Sequence, residues 1–216
     1  MTAEEQIVFI VDDDERIREA LSELLASHGV ETATFASAGA YIDAEKPDLP
    51  ACLVLDVELP DINGLDLQGQ IAQGDHPPIV FITGHGDIPS SVRAIKHGAL
   101  DFLTKPFSDD DVMAAIRVAI AQDRVRRADR AELCGLRQRY LSLTPRERDV
   151  LPLVVSGLMN KQAAAELGIS EVTLQIHRRN VMQKMAAASL ADLVRSAQRL
   201  EIPVTHSRRG GGTDRE

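Results

Sequence analysis

A chain of 216 residues that is 44% hydrophobic and 26% charged has room for one large domain or two small ones. It holds no apolar run near the roughly 18 residues of a membrane span, and its opening MTAEEQ lacks the basic and apolar regions of a secretory signal, so a cytoplasmic protein with no membrane partner is expected. Two cysteines, Cys52 and Cys134, with no second ligand at metal spacing beside either, exclude a disulfide framework and a zinc ribbon. The net charge of −9 is unevenly spread: through Gln122 there are 7 Lys and Arg against 22 Asp and Glu, and from Asp123 onward 17 against 11. An acidic half of −15 followed by a basic half of +6 predicts two modules with different partners, the basic one a candidate for nucleic acid.

In the acidic half, short apolar runs such as Ile7 to Val11, Leu53 to Leu55 and Ile79 to Ile82 alternate with segments whose apolar residues fall at helical spacing, such as Ile17, Leu21, Leu24 and Leu25. Strands near 7, 31, 51, 79 and 101, each followed by a helix, predict an α/β doubly wound, five-stranded parallel sheet over residues 1–122. Ligands of such sheets bind beyond the carboxyl ends of the strands. There the chain carries Asp12, Asp13 and Asp14, then Asp56, then Thr83-Gly84, then Lys105-Pro106. Carboxylates gathered on one edge repel one another unless a cation neutralises them, and an oxygen-only set favours a hard ion such as Mg2+. A lysine and a threonine hydroxyl beside them supply what a phosphoryl group needs, with Asp56 as nucleophile. Asp14, followed by Glu15, reads as a helix cap, and Ser108 with Asp111 as the start of a fifth helix.

Residues 123–142 carry helix formers and six arginines from Arg124 to Arg139, which predicts an exposed extension of the fifth helix and then a linker, a helical linker as a whole. Thr144-Pro145-Arg146-Glu147 then stacks the signals of a helix start. That helix runs to about Ser156 and stops at Gly157; Asn160 is expected to cap a second helix ending at Leu167-Gly168, and Ser170 a third. On the third helix Leu174, Arg178, Val181 and Met185 share one side and Val172, Gln175, Ile176, Arg179 and Gln183 the other. The second side suits a major-groove reader, because Arg and Gln bond base edges while Val and Ile meet thymine methyls. The tail from 204 to 216, low in apolar residues and rich in glycine, is expected to be disordered.

Val11-Asp12-Asp13, Asp56 with Leu59-Pro60 and Gly64, Thr83-Gly84 and Lys105-Pro106-Phe107 together resemble the receiver domain of two-component response regulators. The stretch Thr83-Gly84-His85-Gly86-Asp87 looks most like the FixJ branch. Residues 143–203, through Leu143-Thr144-Pro145-Arg146-Glu147, Asn160-Lys161, Leu167-Gly168-Ile169-Ser170, Thr173 and His177-Arg178, resemble the LuxR-type helix-turn-helix. The resemblance implies a transcription regulator switched by phosphorylation of Asp56, with a sensor histidine kinase as donor. It implies Mg2+ held by Asp13, Asp56 and the Glu58 main-chain carbonyl, with Asp12 acting through water, and phosphoryl oxygens bound by Thr83 and Lys105. A cis Lys105-Pro106 bond and an inward turn of Phe102 on activation are further implications. The signal would reach a surface including Val92, Ile95, Lys96 and Phe102 and promote a homodimer. Double-stranded DNA would be read by Thr173, Gln175, Ile176 and Arg179, with Lys161 and Lys184 on phosphates and a fourth helix, Leu190 to Leu200, in dimer contact. Leu174-Gln175 stands where the family commonly has Val-Lys, which removes a charge that faces DNA. Two other readings stand beside this one: a Mg2+-dependent aspartyl phosphohydrolase with Glu58 as its acid, and a DNA-binding protein indifferent to phosphorylation.

Overall fold

A computed structural model describes residues 5–72, 74–84 and 88–203, with the side chains of Ile88 and Ser90 excepted. The expectations for His85, Gly86 and Asp87 and for the tail lie outside the described residues.

Five parallel strands, β1 (Ile7–Val11), β2 (Glu31–Phe35), β3 (Ala51–Asp56), β4 (Ile79–Thr83) and β5 (Asp101–Thr104), form one sheet in the order β2-β1-β3-β4-β5. Every residue of β1, β3 and β4 is buried, as unbroken apolar runs require when both faces of a sheet are covered. On one face Phe9, Val11, Leu53, Leu55 and Phe81 pack against the helices α2 (Ala38–Asp43), α3 (Gly64–Ile71) and α4 (Ile88–Lys96), through Tyr41, Leu67 and Ala94. On the other, Val8, Ile10, Val54, Val80 and Ile82 pack against α1 (Glu15–Ser27) and α5 (Asp109–Leu141), through Leu21, Leu25, Ile116 and Ile120. The doubly wound fold is therefore the one expected. The order reverses between β1 and β3, so their carboxyl ends open onto a common crevice.

The residues read as an extension of the fifth helix and then a helical linker belong, through Leu141, to α5, one helix of 33 residues. Asp123 is buried and accepts hydrogen bonds from the Ala51 amide at 3.0 Å and from Arg127 Nε at 2.6 Å, while Arg127 also pairs with Asp48. A buried carboxylate needs such donors. The first compact unit runs through Ala128 and the second starts at Asp129, a division that falls within the segment 123–142 read as the linker.

The second unit is helical: α6 (Pro145–Val155), α7 (Asn160–Leu167), α8 (Glu171–Lys184) and α9 (Leu190–Arg199) close around Leu151, Leu174, Val181, Met185, Leu193 and Ala197. Thr144 and Glu147 form the reciprocal capping box, with Glu147 N–H to Thr144 Oγ1 at 3.3 Å and Thr144 N–H to Glu147 Oε2 at 2.8 Å. Gly168 ends α7 in the left-handed region at φ 65°, where a side chain would be strained. The expected cap of α7 is corrected: Met159 occupies that position and its N–H bonds to Gln162 Oε1 at 3.0 Å. Asn160 Oδ1 instead accepts from Arg178 of α8 at 3.0 Å, tying the two helices of the helix-turn-helix together. In α9, the helix expected in dimer contact, Leu193 and Ala197 lie in the unit's own core while Leu190 is exposed. Among the described residues, no helix is long and apolar enough to cross a membrane.

Candidate phosphoryl site and nucleic-acid interface

The carboxyl ends of β1, β3, β4 and β5 bring the predicted residues of the first unit together. Asp12 is fully buried, Asp13 is exposed and Asp56 is buried, and a carboxylate oxygen from each lies within 4.8 Å of the other two. Lys105 Nζ stands 2.6 Å from both Asp12 Oδ2 and Asp56 Oδ2. Burial pushes the Asp12 pKa up, against the pull of Lys105 and the Asp14 amide. Burial also works against the Lys105 ammonium, but its bonds to Asp12 and Asp56 prevail and raise its pKa. One lysine therefore offsets only part of a three-carboxylate cluster, and an all-oxygen donor set fits a hard divalent cation. Thr83 is buried at the end of β4, and its carbonyl accepts from the Lys105 amide at 2.7 Å. The Lys105–Pro106 bond is cis. Glu58 N–H donates to Asp56 Oδ1 at 3.1 Å, so the main chain of Glu58 faces the site. Phe102 is half-buried on β5, its ring 6.1 Å from that of Phe81.

Asp14 caps α1 as expected, its side chain accepting from Arg16 N–H at 2.9 Å, while its own amide holds Asp12 Oδ1 at 2.9 Å. Two supporting residues escaped sequence reasoning. Arg18 donates to the main-chain carbonyls of Asp12 and Asp13. Asp61 accepts from the amides of Ala38 and Gly39 at 3.2 and 2.8 Å, fastening the loop after β3 to α2. Neither stands at a strand end, where alternation directs attention. Gly64 has a different kind of signal: a Cβ there would lie 2.2 Å from the Asp56 carbonyl oxygen.

In the second unit α8 divides as its periodicity predicted. Leu174, Val181 and Met185 are buried, whereas Gln175, Ile176, Arg179 and Gln183 are exposed and Val172 is 67% exposed. Lys161 is exposed near the start of α7. Thr173 spends its hydroxyl locally, 2.8 Å from Ser170 Oγ at the start of the helix. Lys184, expected on a DNA phosphate, is partly exposed, and its Nζ lies 2.7 Å from Glu147 Oε2, whose buried carboxylate requires a counter-charge.

That pair makes the unit acid-sensitive in a defined window. Burial works against ionised Glu147, yet Lys184 and the Thr144 donors outweigh it and hold its pKa at about 2, below the ordinary 4.5. A depressed carboxyl pKa contributes stability above 4.5 that is lost as pH falls through the folded-state value. Glu147→Gln is expected to cost about 2 kcal/mol at pH 7. Denaturant midpoints of variant and wild type should converge as pH falls from 4.5 towards 2, and a difference independent of pH would contradict the assignment.

A parallel sheet with carboxylates and a lysine at its strand ends, followed by a helix-turn-helix, is the architecture of a signal-receiving transcription regulator. Two family models match the chain, the response regulator receiver domain over residues 8–117 and the bacterial regulatory proteins of the luxR family over 141–197. Nodulation protein W of Bradyrhizobium diazoefficiens is 48% identical over 202 residues, covering 93% of this chain and 89% of that protein. Transcriptional regulatory protein FixJ of Azorhizobium caulinodans is 44% identical over 193 residues, 88% of this chain and 90% of that one. The solved structure of the response regulator StyR, 47% identical, matches with a TM-score of 0.81 over 90% of this chain and 98% of its own. The chain belongs to the two-component response regulators that join a receiver domain to a LuxR-type DNA-binding domain. It is a transcriptional regulator with a sensor kinase and DNA as its partners.

Proposed function

We propose that Asp56 is the phosphoacceptor and that its acyl phosphate controls dimerisation and DNA binding. The observation that carries the reading is Lys105 Nζ at 2.6 Å from both Asp12 and Asp56, a fixed positive charge beside a nucleophile at the strand ends. An Asp56 oxygen attacks the phosphorus of a phosphohistidine; the new O–P bond forms as the N–P bond breaks, and the imidazole takes up a proton on leaving. Lys105 and the Thr83 hydroxyl then hold the phosphoryl oxygens. Mg2+, bound through Asp13, Asp56 and the Glu58 main-chain carbonyl with Asp12 acting through water, would supply the charge that screens the anionic nucleophile from the anionic donor. Incubation with Mg2+ and acetyl phosphate should add one phosphoryl group by intact mass. A lasting acyl phosphate with no turnover of phosphoester substrates sets this reading apart from a phosphohydrolase. The reading carries with it a cytoplasmic location, where kinase and operator are found.

The phosphoryl group would act through Thr83 and Phe102 on the surface of α4 and β5, where Val92 and Ile95 are 44% and 48% exposed, and so promote a homodimer. Sedimentation velocity should show the wild type gaining mass on phosphorylation; a chain that stays monomeric at concentrations where it binds DNA would rule this out.

On DNA, Gln175 and Arg179 would bond base edges, Ile176 meet a thymine methyl and Lys161 a phosphate. Arg179→Ala is expected to cost about 1 to 3 kcal/mol on the specific site and to relax sequence preference, whereas Lys161→Ala weakens all sequences alike and lowers the salt slope by about one. Titrations against selected and random duplexes decide: equal losses on both for Arg179→Ala would turn the helix to another face.

A further inference from the structure

The loop between β1 and α1 presents three consecutive aspartates, yet the arginine beside it is joined to no carboxylate by an ion pair among the described residues. Arg18, on the first turn of α1, directs Nη1 at two main-chain carbonyls, those of Asp12 at 2.7 Å and Asp13 at 2.9 Å. Bonds to those carbonyls fix the two peptide planes that follow Asp12 and Asp13, and with them the directions in which both side chains leave the chain. Asp12 does not depend on this alone, because its carboxylate is also held by the Asp14 amide at 2.9 Å and by Lys105 at 2.6 Å. Asp13 does: it is exposed, and its carboxylate has no hydrogen bond among the described residues, so its aim is set by its main chain. Glu15 and Glu19 line a surface cavity of about 240 Å3 with Arg18, Ser22 and Thr34, and negative charge in the neighbourhood of the guanidinium tempers its repulsion of a cation.

We propose that Arg18 is a positioning residue for the divalent-cation site, holding the β1–α1 loop through its carbonyls so that the carboxylates of Asp12 and Asp13 stay available to the ion. The proposal rests on the magnesium reading above. Its sign separates it from a simple charge effect: removing a positive charge beside three carboxylates would tighten cation binding, whereas releasing the loop weakens it.

Calorimetric titration of Mg2+ into the full chain, without phosphodonor, tests it. Arg18→Ala is expected to bind Mg2+ about 10-fold more weakly, the lower end of what loss of a group supporting metal ligands costs. Arg18→Lys, whose ammonium has three donors for the same two carbonyls, is expected to stay within about threefold of wild type. At saturating Mg2+ the alanine variant should still accept one phosphoryl group, since the nucleophile and Lys105 are untouched. Should Arg18→Ala fail to fold, Arg18→Gln, neutral but still a donor, is expected between the wild type and that 10-fold loss. Affinity equal to or tighter than wild type in the alanine or glutamine variant overturns the proposal, as does an equal loss in the alanine and lysine variants. A wild type that takes up no Mg2+ removes the magnesium reading itself, and this proposal with it.

Discussion

Asp56→Asn is expected to abolish labelling by acetyl phosphate while leaving the chain folded. Asparagine has the shape of aspartate but no anionic oxygen to attack phosphorus, so the fall is from one phosphoryl group to none. The structure also says what the change does to stability. Asp56 is buried at the end of β3 within 4.8 Å of two other carboxylates, and Lys105 keeps its bond to Asp12 when Asp56 loses its charge. Relief of like-charge repulsion offsets the lost ion pair, and the melting temperature should move little in either direction. Intact mass with Mg2+ and phosphodonor, alongside a melt, gives both numbers. A label that persists in the folded variant would show that the phosphoryl group goes elsewhere.

The second large effect is expected at a glycine. In Gly64→Ala the new methyl would stand 2.2 Å from the Asp56 carbonyl oxygen and 3.1 Å from Val57 Cα, distances that backbone must move to relieve. Gly64 N–H also donates to the Val57 carbonyl at 2.8 Å, so the start of α3 and the phosphoacceptor loop cannot separate without losing that bond. A cost of about 3 kcal/mol, at the upper end of overpacking, is expected, with slower labelling because the main chain that moves is that of Asp56 itself. Gly69 on the same helix provides the control. Nothing lies within 4 Å of its absent Cβ, and alanine there should stabilise by about 0.5 to 1 kcal/mol through helix propensity. Denaturant unfolding of the two variants should therefore give opposite signs for one chemical change. A tolerated alanine at Gly64 would mean that the approach of α3 to the Asp56 loop is looser than described.

Much of the receiver and of the helix-turn-helix was legible in the linear chain, because the forces concerned act over short spans. Unbroken apolar runs announced strands covered on both faces, and the residue after each run announced the chemistry at the sheet's edge. Helix starts were readable at Asp14, Ser170 and Thr144-Glu147 because an unpaired N–H is satisfied by a side chain two or three residues away. The same rule failed at Asn160, whose oxygen found a better donor in Arg178, 18 residues on. What tertiary structure alone decided has that form throughout. Lys184 looks like a cation free for DNA until folding places the buried carboxylate of Glu147, 37 residues away, against it. Asp123 looks like the start of a linker until its carboxylate meets the Ala51 amide across 72 residues. Periodicity and capping report which backbone groups and which faces must be buried, and the sequence by itself therefore determined the fold class, the acidic strand ends and the exposed face of α8. The partner of a buried charge, or of an arginine beside three aspartates, depends on which distant segment is brought within about 3 Å, and only the folded chain specifies that distance.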